Sequence, residues 1–169
     1  MIWLVLVSLL IIIAYTTAVC IKGHGVPNSI SATFYKLDHK LWFGATMFLT
    51  SGLLMPAILE TTPPSYQFTV FLACTGMISV GIAPHFREGL ERPIHITGAI
   101  LCLVFSQVWV ALTCPWYLIV WIVYLIYTII GMIRHQSDSV VSDFLRTNPM
   151  FWAEITALVC TYMSLFFNY

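Results

Sequence analysis

The chain has 169 residues, 60% of them hydrophobic and 8% charged, and its 7 basic and 7 acidic residues cancel to a formal net charge of zero. Soluble domains carry about a quarter of their residues charged, so water is excluded as the main solvent. With no basic tract, nucleic acid is excluded as a partner.

Six apolar stretches meet the length of about 17 to 25 residues that a spanning helix needs: 2–21, 40–59, 66–84, 95–113, 116–133 and 150–169. Unpaired backbone groups in hydrocarbon cost several kcal/mol each, so runs of this length must be helical. No segment alternates like the strands of an outer-membrane barrel. The predicted fold is all-α, a single polytopic transmembrane helix bundle of about six spans, with no room for a separate soluble domain.

The first stretch has no basic residue before it, whereas Lys22, Lys36 and Lys40 follow it. That is the pattern of a helix whose N-terminus is translocated, not of a cleaved signal. Arg87 and Arg92 follow the third stretch, and Arg134 and Arg146 the fifth, so loops one, three and five hold all seven basic residues. Both termini are expected on the non-cytoplasmic side. All five histidines and six of the seven acids share the basic side, and Glu60 stands opposite. Trp3, Tyr66, Trp116, Tyr117 and Tyr169 are expected as interface anchors at the outer level, and Tyr35, Trp42 and Trp152 at the inner one.

Two basic-side loops read as structured. After Pro27, Asn28 or Ser29 can cap a helix whose Ile30, Phe34, Leu37 and Leu41 form one apolar stripe lying in the interface. In the fifth loop, Asp138 or Ser139 can cap a shorter helix carrying Val140, Val141, Phe144 and Leu145, and Pro149 suits the first turn of the last span. Pro56 should kink the second span. The five cysteines show no Cys-x-x-Cys spacing and read as small packing residues.

An ionisable residue inside a bilayer costs roughly 2.5 to 3.5 kcal/mol on insertion scales, so each marks a functional hypothesis. Glu154 lies about 7 Å into the last span at 1.5 Å per residue, flanked by Trp152, Ala153 and Ile155. His39 opens the second span, His85 closes the third, His95 opens the fourth and His135 closes the fifth, all at the level of Glu154; Asp38, Glu88, Glu91 and Asp138 lie slightly farther out. Histidine and carboxylate at one level can relay a proton, hold a ligand or bind a metal. The candidate ligand or proton pocket is therefore His95, Glu154, His39 and His85, and the same four are candidate ligands for a divalent metal, although no single helix carries metal-ligand spacing. Deeper in the spans, Gln107, Ser106, Thr50, Ser51, Thr75 and Ser79 can form a polar path or interhelical hydrogen bonds.

The stretches Val26-Pro27-Asn28-Ser29-Ile30-Ser31-Ala32-Thr33-Phe34-Tyr35, Ala83-Pro84-His85-Phe86, Ile94-His95-Ile96-Thr97-Gly98-Ala99 and Pro149-Met150-Phe151-Trp152-Ala153-Glu154 resemble segments of small multi-pass membrane proteins of gut bacteria and their phages. That resemblance implies a bacterial inner membrane and no particular activity. A more distant resemblance is to the alkaline ceramidase and adiponectin-receptor superfamily of membrane hydrolases, which places two histidines four apart in its last span; here the last span has none.

Three functions are thus in view. The first is a non-catalytic membrane protein, a homo-oligomer in lipid, that binds or passes a small ligand, ion or proton at its cytoplasmic-side pocket. The second is a metal-dependent hydrolase acting on lipid, with a bound water as nucleophile. The third is a structural or phage-related membrane component.

Overall fold

The computed structural model describes residues 1–86, 89–135 and 139–169, and every regular element among them is helical. In chain order they are α1 (Ile2–Lys22), α2 (Leu41–Thr61), α3 (Gln67–Ile82), α4 (Glu91–Thr113), α5 (Val120–His135), α6 (Val140–Arg146) and α7 (Pro149–Asn168). Six are long and apolar enough to cross a membrane: α1, α2, α3 with the 3-10 turn that precedes it, α4, α5 with its own preceding turn, and α7. Helix α4 begins at Glu91, a turn before His95, because Pro93 falls among the first positions, whose N–H groups have no intrahelical acceptor.

Helices α1 to α4 pack in sequence, each against the next, and α7 returns against α4 with lighter contacts to α1 and α2. Helix α5 stands at the periphery on α6 and α7. Missing side chains decide the closest crossing. A Cβ at Gly76 of α3 would lie 2.5 Å from both the Cys102 nitrogen and the Gly98 oxygen of α4, and a Cβ at Gly98 would lie 2.8 Å from the Gly76 oxygen. Within lipid, where burial supplies no drive between helices, such close backbone approach is what holds two helices together.

The polar residues inside the spans serve as ties. Ser8 Oγ donates to the Thr50 carbonyl at 3.1 Å and pairs with the Tyr162 hydroxyl at 2.6 Å, joining α1, α2 and α7. Gln107 donates to the Ala157 carbonyl of α7 at 3.2 Å and accepts from Trp121 Nε1 of α5 at 2.9 Å. Ser51 Oγ donates to the Cys74 carbonyl at 3.0 Å, while the Ser79 hydroxyl bonds back to Thr75 within α3. All five cysteines are free. Trp3, Trp42 and Trp116 project from helix ends, but Trp152 packs inward, its ring 5.2 Å from Tyr127 and 5.3 Å from Phe151.

The α1–α2 connection departs from its expected form. A 3-10 helix spans Ser31–Lys36, with Ile30 and Phe34 buried in the bundle end, while Leu41 is 87% exposed at the start of α2. A six-residue 3-10 helix repeats every third residue and is too short to carry a stripe spaced for an α-helix. The N-cap is Ile30 rather than Asn28 or Ser29, although the Ser29 hydroxyl, one residue earlier, accepts from the Ala32 N–H at 2.9 Å.

In α6, Val140, Val141 and Leu145 face outward and Asp143 is buried, so the apolar side is turned away from the bundle. Ser139 is its N-cap; Asp138, the alternative cap, lies outside the described residues. Asn148 then takes a left-handed conformation, which asparagine tolerates, and Pro149 opens α7.

Candidate functional site

A cavity of about 120 Å³ lies inside the bundle between α2, α3, α4 and α7, reached by one residue of α1, Ile12. Its walls follow helical periodicity. Met47, Ser51, Leu54 and Ile58 line it from α2; Ala99, Cys102, Leu103 and Ser106 from α4; Glu154, Ala157, Leu158 and Thr161 from α7. The α4 and α7 sets recur at i, i+3, i+4 and i+7 and the α2 set at i, i+4, i+7 and i+11, so each helix turns one stripe inward. Ile30 and Ser31 close the end nearest the basic loops.

Glu154 is the one ionisable carboxylate on this wall. Its Oε2 accepts from the Ile30 N–H at 2.5 Å, and about one turn earlier in α7 the Phe151 N–H donates to the Asn28 carbonyl at 3.1 Å. These two bonds dock the 28–36 segment across the N-terminal end of α7 as a plug. Thr33 adds a third attachment through its hydroxyl, which pairs with the Tyr15 hydroxyl at 2.5 Å. Beyond the plug, Lys22 forms an exposed ion pair with Asp38 and holds that carboxyl below its ordinary value.

Comparison with family models, curated proteins and solved structures finds no match.

The four candidate ligands do not converge. His39 is exposed at the end of the plug segment. His85 pairs through Nδ1 with Glu91 at 3.2 Å and meets Phe34 edge-on at 4.9 Å. His95 is buried, its Nδ1 2.8 Å from the Ala83 carbonyl and its ring stacked on Phe86 at 4.7 Å. No three His, Cys, Asp or Glu side chains among the described residues are grouped to hold a metal. These four are not grouped as metal ligands, because a shared depth in the bilayer fixes only one coordinate. His95 belongs to the α3–α4 turn, where it ties a carbonyl at the end of α3, and Glu154 alone reaches the cavity.

Glu88 and Asp138 lie outside the described residues. Ile30 and Ser31 as a plug, and Cys102 and Thr161 as cavity wall, were not expected from the sequence, whereas Ser51 and Ser106, named for a polar path, do line the cavity. Their signal was present as small and hydroxyl residues at i, i+3, i+4 and i+7 on α4 and α7.

Proposed function

We propose that this chain is a multi-pass protein of a bacterial inner membrane, its basic end in the cytoplasm, that binds a small ligand within the bundle and catalyses no reaction. The observation that carries this reading is the cavity with a single carboxylate at its plugged end. Close packing is the rule in protein interiors, and apolar voids near this size accept small molecules readily. A charged side chain is costly at this depth and is kept where it meets a partner or substrate. Glu154 holds the plug through Oε2 and lines the cavity, so the same residue can meet an occupant and hold the closure.

The test is native mass spectrometry of the protein released from discs of its own membrane. Wild type should retain a non-covalent small-molecule adduct, and filling the cavity by Leu158→Trp or, more gently, by Ser106→Leu should abolish it. Absence of any adduct, or equal retention in the filled variants, overturns the reading.

A further inference from the structure

Apart from the central cavity, a groove of about 230 Å³ runs between α5 and α7, walled from Val120 to Tyr127 on one helix and from Trp152 to Val159 on the other. Both walls recur at i, i+3, i+4 and i+7, so two helical stripes face each other across it. Val123 and Val159 are exposed, so the groove opens sideways onto the surface that lipid would cover. We infer that it holds one acyl chain of an anionic phospholipid, whose phosphate is met by Arg134 and Arg146. Size is the first argument. Seven residues of helix span about 10 Å, the length of roughly eight methylenes at about 1.3 Å each for bonds of about 1.5 Å. A void of about 150 Å³ accepts the six carbons of benzene, so 230 Å³ has room for roughly nine. Length and volume agree on a single chain.

The second argument is charge at the right depth. A Cβ at Gly131 would lie 2.6 Å from Thr147 Cγ2, so α5 seats directly on the end of α6. Arg134 lies about one turn beyond Gly131 and Arg146 adjoins Thr147, so both arginines start from this corner, next to the end of the groove at Tyr127 and Trp152. Arg134, His135 and Arg146 are exposed here, whereas Asp143, the acid of α6, is buried. Helix α6 turns Val140, Val141 and Leu145 outward, as a helix does when it lies in the headgroup region with its apolar side against the acyl chains. The arginines then stand at the level of lipid phosphates, which a guanidinium fork binds through two parallel hydrogen bonds. A second copy of the chain fits this surface less well. Helices pair in lipid through small or hydrogen-bonding residues, and the exposed face of α5 offers Ile122, Val123, Ile126 and Ile129 instead.

The test is native mass spectrometry of the full chain released from discs of equal phosphatidylcholine and phosphatidylglycerol with matched acyl chains. Wild type should retain one phosphatidylglycerol in preference to phosphatidylcholine. Arg134→Gln combined with Arg146→Gln should weaken that retention about 10- to 30-fold. Val123→Trp, which fills the groove, should abolish it. Leu125→Trp, exposed on the same helix outside the groove, should keep it, and so should Ser106→Leu in the central cavity, so this site and the cavity fail separately. Equal retention of the two lipids, retention unmoved by the arginine changes, or one result for Val123→Trp and Leu125→Trp overturns the site. A dimer that Val123→Trp splits would assign the groove to a second copy and overturn it too.

Discussion

At the residue scale the molecule turns on Glu154. Replacing it with alanine leaves the Ile30 N–H without its acceptor, and a buried donor left unpaired costs about 1 to 3 kcal/mol. The expected outcome is faster amide hydrogen exchange confined to residues 28–36 and a lower midpoint of unfolding, with Glu154→Gln milder because its side-chain carbonyl still accepts. Exchange that rises evenly across the bundle, or stays unchanged over 28–36, would refute the docking role.

Gln107 offers a second test, since it bonds both Trp121 and the Ala157 carbonyl. Interhelical bonds in membranes average about 0.6 kcal/mol with a maximum near 1.7. Gln107→Leu should cost about that much in reversible unfolding and should also loosen α5. Both Glu154 and Gln107 stood out in the sequence because polar atoms in an apolar run need an account. Their partners did not, since Ile30 and Ala157 act through backbone groups that any residue possesses.

At the scale of elements the α3–α4 pair is the rigid part of the bundle. Alanine at Gly76 would put a methyl carbon 2.5 Å from backbone atoms of α4, which have no rotamer by which to yield, so the helices must part. Overpacking of this kind costs typically 1 to 3 kcal/mol. Gly76→Ala should therefore lower the unfolding midpoint more than alanine at Gly52, which has open space around it. Alanine is about 1 kcal/mol better than glycine in a helix interior, so equal effects at the two positions would mean that the crossing admits the methyl without cost. Gly98 and Cys102, small residues four apart, mark a face suited to close packing, but the sequence does not name Gly76 as the partner, because pairing depends on which helices become neighbours. The plug was misread for a related reason: Ile30, Phe34 and Leu37 suit an α-helical stripe, yet docking of Asn28 and Ile30 on α7 fixes a tighter 3-10 course that local preference does not contain.

For the whole molecule, the six long apolar helices were legible because the bilayer thickness sets a length that composition displays directly. The cavity was not legible, since a void is the place where neighbouring stripes fail to fill space, and that depends on how α7 packs beside α2, α3 and α4. Orientation is the remaining large-scale quantity. Lys22 ends α1, Lys36 and Lys40 lie in the plug loop, Arg92 lies in the first turn of α4, and Arg134 and Arg146 end α5 and α6, so these cations gather at one end. Because Lys and Arg are retained in the cytoplasm, the proposed function has the plug and Glu154 near the cytoplasmic face. The opposite end holds Ser65 in the α2–α3 connection. In cells making the protein, a membrane-impermeant maleimide should label Ser65→Cys while the cells are intact. His24→Cys, in the plug loop, should react only after lysis. The reverse pattern would put the plug on the outer face, and a ligand meeting Glu154 there would arrive from outside the cell.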